Sequence, residues 1–414
     1  MAIFAFKVLF MTSKISFLYI NLFLLIILFL ACSNHKKTDG SDSNDYELSE
    51  NSLPMMKPSN LDYPRLDANF INAKRASIDR FCQKYWKNEA NNLSFLVAKN
   101  GEIIYERYQG IANRRKNISI EKDTPMHIAS VSKVLTATAI LLLIDNGKID
   151  LDQKVNTILK GFPYPKITVK NLLSHRSGLR NYAYFTEDKG VWDRKKTLTN
   201  QDILNLFTQK NIKLESPTDT RFCYCNTNYA MLALVIEKIT GLNYREAMQQ
   251  MIFKPLGMNN TYVFDLEKDR KTATPSYKAS NMELALDYLD AVYGDKNIYS
   301  TPRDLLKFDL ARNAPTFLNP KLRSQVYQGY SNERKGTKNY GLGIRMVEWE
   351  TGQKFYFHNG WWHGNTSSYI PLSKDNVTII ALSNKFNKNI YAFKKLAPLF
   401  GDYPFKLEAG EKEE

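Results

Sequence analysis

Segments that favour β-strands lie near both ends of this chain, and the sequence between them is mainly helical. Near the start, residues 94–98 and 103–105 flank a Lys-Asn-Gly turn, a pattern typical of a β-hairpin. After about Lys338 come short β-rich runs separated by Gly, Asn, Ser and Pro: Tyr340 to Trp349, Lys354 to His358, Thr366 to Ile370 and Val377 to Leu382. We therefore predict an α+β fold with one antiparallel sheet, flanked by N- and C-terminal helices and interrupted by a mainly helical subdomain at roughly residues 145–315.

Periodicity and capping residues predict where the helices lie. Apolar side chains from about Asp67 to Asn88 fall largely on one side of a helix, and a last helix runs roughly from Tyr391 to Phe400. Three further helices are predicted to begin at residues that can cap a helix and are followed three positions later by an acid: Thr199/Asp202, Asn243/Glu246 and Thr301/Asp304. Two more are predicted from Ser130 to about Asp145 and from Asn228 to Thr240.

The first 31 residues have the pattern of an export signal. Lys7 and Lys14 precede an apolar run from Ile15 to Ala31, and the following Cys32 completes a segment that resembles a bacterial lipobox. An uncleaved signal anchor is the alternative. Residues 32–60 are rich in Ser, Asn, Asp and Lys and predict a flexible tether.

The predicted domain then covers residues 61–405 and is followed by a polar tail at 406–414. We expect an exported protein, held by a lipid on Cys32 at a bacterial membrane, either the periplasm-facing outer membrane or the cell surface.

Composition excludes several other classes of function. The net charge is +15, and removing residues 1–31 takes away two lysines and no acids, which leaves +13. The basic residues are scattered and no nucleic-acid motif accompanies them, so a solvated basic surface is the expectation and no nucleic-acid partner is predicted. The five histidines show no metal-ligand spacing, so neither a metal nor a cofactor is predicted.

Ser130 and Lys133 lie one turn apart on a predicted helix and share a face. An amine beside a hydroxyl is what a weak oxygen nucleophile needs to react at neutral pH. The helix start also favours negative charge and offers N–H groups to an oxyanion. Taken alone this pattern is weak, because an N-cap serine with a solvated lysine produces it too.

Tyr224 and Asn226 lie two residues apart before a helix, so an extended backbone would point both to one side. A tyrosine can relay a proton if neighbouring cations lower its pKa, and an asparagine can hold a substrate amide. An aromatic packing residue beside a helix cap is an equally ordinary interpretation.

His358-Asn359-Gly360 closes a predicted strand. Histidine can shuttle protons or bind a carboxylate, and Gly360 would let a substrate approach the strand edge. The backbone N–H of Trp361 could then supply a second oxyanion donor beside that of Ser130.

With these motifs, the sequence resembles the superfamily of serine β-lactamases and penicillin-binding proteins, and specifically the class C β-lactamase-related group with its esterases and D-amino-acid peptidases. The resemblance covers roughly residues 65–400. It rests on segments 127–133, 167–169, 172–179, 224–229, 239–241, 255–258, 300–305 and 340–343.

The resemblance implies roles for individual residues. Ser130 looks like the acylated nucleophile, Lys133 its proton acceptor and Tyr224 the acid–base relay, while Asn226 resembles a ligand for the substrate amide. His358 stands where β-lactamases have Lys, and Asn359 replaces a usual Thr or Ser; both departures weaken a claim of β-lactamase activity. His175 is expected to be structural. Four aromatic residues follow in a predicted loop, and they either line a substrate pocket or pack within the loop: Tyr182, Tyr184, Phe185 and Trp192.

We therefore expect a serine hydrolase that forms an acyl-enzyme with an ester, a D-amino-acid peptide or a β-lactam. The substrate is expected to be a small molecule or a compound derived from peptidoglycan. The alternatives are a penicillin or peptidoglycan sensor that is acylated without turnover, and a catalytically silent cell-wall binding protein. The oligomeric state is left open.

Overall fold

The computed structural model describes residues 53–88, 91–333 and 336–405. The predicted signal at 1–31, the lipidation residue Cys32, most of the tether and the tail at 406–414 lie outside the described residues. Within the described ranges, no helix is both long enough and apolar enough to cross a membrane.

The described residues form strands β1 Leu93–Lys99, β2 Glu102–Gln109, β3 Ile111–Asn113, β4 Ile118–Ser119, β5 Met126–His127, β6 Tyr262–Val263, β7 Ile298–Ser300, β8 Lys338–Tyr340, β9 Arg345–Glu348, β10 Lys354–Trp362, β11 Asn365–Leu372 and β12 Val377–Ser383. A seven-stranded antiparallel sheet forms the frame of the fold, with strand order β2-β1-β12-β11-β10-β9-β8. A small second sheet (β5-β7-β6) and a two-stranded ribbon (β3-β4) lie outside it. Because β1 pairs with β12, the two ends of the chain close the sheet as predicted.

Most of the helices come from the middle of the chain. They are α1 Ala68–Trp86, α2 Ser132–Asp145, α3 Val155–Ile158, α4 Val169–Leu173, α5 Tyr182–Phe185, α6 Asn200–Gln209, α7 Asn226–Thr240, α8 Tyr244–Met248, α9 Pro302–Asn313 and α10 Pro320–Val326. The predicted caps are present: the side chains of Thr199, Asn243 and Thr301 each accept a hydrogen bond from a backbone N–H three residues later.

The sheet separates two hydrophobic cores. On one face, α1 and a 3₁₀ segment at Lys388–Leu399 pack together, with the Phe393 ring 4.3 Å from Phe95 and 5.3 Å from Phe81. On the other face lie the inserted helices, among which α2 is buried from Ser132 to Leu143. A helix that is apolar all round is stable only when it is enclosed in this way. The predicted fold is confirmed.

Four local differences from the prediction have physical reasons. Ser130 lies in a 3₁₀ turn, Ala129–Val131, that precedes α2. The run Tyr340 to Trp349 is two strands, β8 and β9, because Gly343 has a φ of +89° and turns the chain between them. The last helix is 3₁₀ and contains Pro398, whose missing N–H disfavours an α-helix.

The fourth difference concerns the end of the predicted tether, residues 53–60. Met56 is buried there, and its N–H donates to the carbonyl of Met251 at 2.8 Å. A buried apolar side chain with a paired backbone belongs to the folded domain, which therefore begins earlier than residue 61.

Candidate active site

The nucleophile turn, which we define as Ile128–Val131, is held rigidly from two sides. The Ala129 N–H donates to His127 Nδ1 at 3.0 Å, and Ser367 Oγ on β11 donates to the Ile128 carbonyl at 2.6 Å. Ala129 has a φ of +48°, a left-handed conformation that costs a non-glycine residue about 1–2 kcal/mol. The turn therefore stores strain directly before Ser130.

Ser130 and Lys133 meet as the sequence predicts. Lys133 Nζ donates to Ser130 Oγ at 3.1 Å and to the Asp295 carbonyl at 2.8 Å. The lysine is fully buried, whereas Ser130 is partly exposed. An ammonium group buried beside a reachable hydroxyl stabilises negative charge on that oxygen.

Tyr224 lies against the same pair. Its ring centroid is 5.2 Å from Lys133 Nζ and 4.6 Å from Arg345 Cζ. Burial raises the pKa of Tyr224, but Lys133, Arg345 and hydrogen bonding to Ser130 and Lys133 outweigh burial, so its pKa falls below the ordinary value. The phenol is thus adapted to exchange a proton with the serine.

His358 is brought to the site but lies behind it. It is fully buried, Nδ1 lies 2.9 Å from the Asn359 carbonyl and Nε2 lies 3.2 Å from the Tyr340 hydroxyl. A carbonyl can only accept, so Nδ1 carries the proton and Nε2 accepts from Tyr340. Burial, followed by Arg345 and Lys133, lowers the pKa of His358 well below its usual range. The imidazole is therefore neutral, which does not favour the predicted role of binding a carboxylate.

Gly360 sets the distance between β10 and the nucleophile turn. A Cβ there would lie 2.3 Å from Ser367 Oγ, 2.6 Å from the Ile128 carbonyl oxygen and 2.9 Å from the Ser130 nitrogen. Only glycine allows this approach. The contact places the β10 backbone beside the Ser130 N–H, where the predicted oxyanion donors would have to meet.

Other predicted ligands line the same strand and the start of α7. Asn359 is partly exposed, and its Oδ1 accepts from Ser368 Oγ at 3.0 Å. Trp361 is 63% exposed and stands at the rim, with its ring 5.9 Å from that of Phe386. Asn226 Oδ1 is buried without a partner in the described structure, so it has an unused acceptor.

His175 organises the Tyr224 segment. Its Nδ1 accepts from the Cys225 N–H at 3.1 Å, and its ring lies 4.4 Å from that of Tyr224. Burial and the charge of Lys133 lower its pKa well below the usual range. These contacts agree with the structural role that we expected.

The loop aromatics are mainly packing residues. Tyr182 and Phe185 are fully buried, and the Tyr182 hydroxyl donates to Asp295 Oδ2 at 2.9 Å. Trp192 is partly buried and donates to the Lys196 carbonyl, whereas Tyr184 is 68% exposed. For Tyr182 and Phe185 the packing interpretation is therefore the correct one.

Arg345 is the residue at this site that the sequence interpretation missed. It begins β9 two residues after Gly343, and its guanidinium lies over the Tyr224 ring. A charged residue opening an otherwise β-rich run was the only signal in the sequence.

Asp287, Asp290 and His363 form the one metal-ligand-like cluster among the described residues. Asp290 accepts from Trp362 Nε1 at 2.7 Å and pairs with His363 Nε2 at 2.9 Å. Because Trp362 and His363 already bond to the carboxylate oxygens of Asp290, the cluster is a hydrogen-bonded ion pair.

The comparisons with known proteins agree with this geometry. A family model described as Beta-lactamase matches residues 78–396. Penicillin-binding protein 4* of Bacillus subtilis (strain 168) is 28% identical over 331 residues, which cover 75% of this chain and 72% of the relative. Teichoic acid D-alanine hydrolase of Staphylococcus aureus is 27% identical over 310 residues, which cover 74% and 72%.

Solved structures share the fold. A penicillin-binding protein from Bacillus halodurans superposes with a TM-score of 0.66 at 22% identity, covering 78% of this chain and 98% of the other. FmtA from Staphylococcus aureus gives 0.65 at 22% identity, covering 90% and 99%. The family match spans most of the chain and includes all three motifs, so this protein belongs to the Beta-lactamase family, within the serine hydrolase superfamily that includes the penicillin-binding proteins.

Proposed function

We propose that this protein is an exported, lipid-anchored hydrolase that acts through an acyl-enzyme on an ester or a peptide of a D-amino acid. The observation that carries the proposal is the 3.1 Å contact between Ser130 Oγ and Lys133 Nζ, with the Tyr224 phenol beside both. The name of the staphylococcal relative, a D-alanine hydrolase, supports the choice of substrate.

In the proposed reaction, Ser130 Oγ attacks the substrate carbonyl while its proton passes to Tyr224. The backbone N–H groups of Ser130 and Trp361 bind the oxyanion. Tyr224 returns the proton to the leaving alcohol or amine as the old bond breaks. Water then adds to the ester on Ser130 while Tyr224 takes a proton from it. The bond between Ser130 Oγ and the acyl carbon breaks, Tyr224 returns the proton to Ser130 Oγ, and the acid is released.

β-Lactams are the less favoured substrate. The third motif has the neutral, buried His358 where a β-lactamase has a lysine, so that position lacks the cation that would hold the β-lactam carboxylate. The basic residues Lys7 and Lys14, the apolar run 15–31 and the lipobox-like Cys32 support export and lipid anchoring.

A hydrolysis panel tests the activity. Purified protein lacking residues 1–32 is assayed with N-acetyl-D-alanine phenyl ester, a D-Ala-D-Ala peptide and nitrocefin. A fluorophosphonate probe reports labelling of the serine, and Ser130→Ala is the control. We expect turnover of the D-amino-acid substrates, labelling of the wild type and neither for Ser130→Ala.

Other outcomes would contradict the proposal. Labelling of the wild type without turnover of any substrate would favour the sensor, and absence of labelling would favour the silent binding protein. Lipid anchoring is tested by incorporation of a clickable palmitate into the full chain, which Cys32→Ala should abolish.

A further inference from the structure

One side of the domain is strongly basic, although the basic residues look scattered in the sequence. Helix α1, the following Lys87 and the 3₁₀ segment at Lys388–Leu399 pack together on one face of the sheet. We call these three the basic face, because they carry a single acid, Asp79, and eight cations: Lys74, Arg75, Arg80, Lys84, Lys87, Lys388, Lys394 and Lys395. The fold therefore brings together cations that are distant in the sequence.

The outward side of α1 presents its charges to solvent. Arg80, Lys84 and Lys87 follow one another at spacings of four and three residues, so they lie on one side of the helix, and all three are exposed. Arg80 donates to Ser77 Oγ at 2.9 Å, and in the part of the chain that the structure describes none of the three is paired with a carboxylate. These charges are therefore available to a partner.

The one acid of the basic face does not neutralise these cations. Asp79 Oδ1 accepts a hydrogen bond from the Tyr105 hydroxyl at 2.6 Å. Arg80 and Lys84 are like charges four residues apart, an arrangement that destabilises a helix. A partner of negative charge would remove this repulsion, and a cluster of one sign attracts such a partner over a distance.

An exposed tryptophan borders the basic face. Trp361 is 63% exposed, and its ring centroid lies 5.9 Å from that of Phe386, which precedes Lys388 by two residues. Asn389 Nδ2 donates to the Tyr85 carbonyl at 3.1 Å and so joins the start of the 3₁₀ segment to the end of α1. An indole beside a group of cations is typical of surfaces that meet the boundary between water and a lipid bilayer.

We propose that the basic face, with Trp361 at its edge, binds the surface of a membrane that contains anionic phospholipids. Such a surface attracts lysine and arginine, and an indole favours its headgroup region. A soluble anionic polymer would satisfy the cations but has no apolar region for the indole. The inference requires neither turnover nor the lipid on Cys32. Because Trp361 lies on β10, which borders the nucleophile turn, the active site would open beside the headgroups.

Sedimentation with vesicles tests the proposal. It uses the protein lacking residues 1–32, since both hydrophobic cores consist of later residues. One set of vesicles is phosphatidylcholine, and the other is an equal mixture of phosphatidylcholine and phosphatidylglycerol. We expect binding to the anionic set alone, and its loss when NaCl rises from about 0.1 to about 1 M, because the Debye length falls from about 10 to about 3 Å. Equal binding to both sets would overturn the inference without any variant.

A triple variant tests which surface binds. Arg80→Gln/Lys84→Gln/Lys87→Gln removes three cations of the basic face, and glutamine is a good helix former. Each cation near an anionic surface contributes about five-fold in affinity, so we expect the variant to bind the anionic vesicles about 100-fold more weakly. Its Tm should stay close to that of the wild type.

The matched control removes the same charge elsewhere. Lys210→Gln/Lys238→Gln/Lys254→Gln changes three exposed lysines of the inserted, mainly helical part of the chain. It should lose less than about five-fold in vesicle affinity, because only the loss of net charge acts on it. An equal loss in the two triple variants would show that net charge, and not the basic face, determines binding, and would overturn the inference.

Trp361→Ser distinguishes a membrane from a soluble polymer. We expect this variant to bind anionic vesicles several-fold more weakly and to bind soluble polyphosphate as the wild type does, since only the bilayer offers the indole an apolar region. Vesicle binding that is unchanged by Trp361→Ser, together with polyphosphate binding as tight as vesicle binding, would assign the basic face to an anionic polymer and overturn the inference.

Discussion

At the scale of single residues, the site depends on the charges around one phenol. The cations of Lys133 and Arg345 act on Tyr224, while the buried imidazoles of His175 and His358 are neutral neighbours. Spacing predicted that Ser130 and Lys133 would meet, because a helical turn alone brings them together. It did not predict Arg345, because that side chain is placed by the turn between β8 and β9 and by a tyrosine more than a hundred residues away.

Replacing the phenol tests its role in proton transfer. We expect Tyr224→Phe to lower kcat/KM by about 10²- to 10⁴-fold, the usual contribution of general acid–base catalysis. The phenolate is the basic form, so wild-type activity should rise with pH through a limb that lies below the ordinary tyrosine pKa.

Tyr224→Phe should not show this rise of activity with pH. A pH series of kcat/KM with the N-acetyl-D-alanine ester measures it. Tyr184→Phe, at an exposed position, serves as the control. An unchanged pH profile in Tyr224→Phe would remove the phenol from the mechanism.

At the scale of elements, the site is assembled where β10 meets the nucleophile turn. The sequence identified both elements, but it placed Ser130 at the start of a helix rather than in the 3₁₀ turn that precedes it. The reason is that two side chains hold this turn: His127 accepts from the Ala129 N–H, and Ser367, more than two hundred residues away, donates to the Ile128 carbonyl. The sequence around Ser130 does not reveal the contact with Ser367.

Gly360→Ala tests that junction. The added methyl would meet Ser367 Oγ, the Ile128 carbonyl and the Ser130 nitrogen, so we expect a loss of about 1–3 kcal/mol in the free energy of unfolding and a large fall in kcat. Urea unfolding and the ester assay measure the two effects.

Gly147→Ala is the control for Gly360→Ala, because its φ of +66° strains an alanine although no atom lies within 4 Å. It should lose stability of about 1 kcal/mol yet keep its kcat. Wild-type turnover in Gly360→Ala would show that the junction tolerates displacement.

At the scale of the whole molecule, the architecture was predictable because the sheet-forming runs near both ends are rich in strand-forming residues and are bounded by turn residues. The start of the domain was not predictable from composition. The predicted tether, residues 32–60, is polar on average, but single apolar side chains near its end, such as Met56, are buried. Which sparse apolar residues dock is decided by the surface they meet.

Buried histidines should make the stability of the whole domain depend on pH. Burial lowers the pKa of His127 to about 4, and it also lowers the pKa values of His175 and His358. The unfolded chain then binds more protons between the unfolded pKa of about 6.5 and these folded values, so stability should fall as the pH is lowered from 7 to 5. Each histidine contributes at most about 1.4 kcal/mol per pH unit.

Calorimetric Tm values between pH 7 and pH 5 test whether stability falls on acidification. His363 acts in the opposite direction. Burial lowers its pKa, but the hydrogen bond to Asp290 and the charge of Asp290 outweigh burial, so the pKa of His363 lies above its ordinary value. Its contribution is present below the unfolded pKa and is lost as the pH rises through the folded one. His363→Gln should therefore steepen the loss on acidification and His358→Asn should flatten it, whereas a Tm that is constant from pH 7 to 5 would contradict the assignment.

The left-handed backbone at Ala129 has a consequence for how this protein can change over generations. A β-branched residue there would be strained, and a large one would not fit, because Ala129 is fully enclosed. Of the residues that a single nucleotide change can introduce here, glycine alone relieves the backbone strain, but its greater flexibility would make the orientation of the Ser130 hydroxyl less fixed. Selection for a stable backbone and selection for a well-oriented nucleophile therefore act in opposite directions on residue 129.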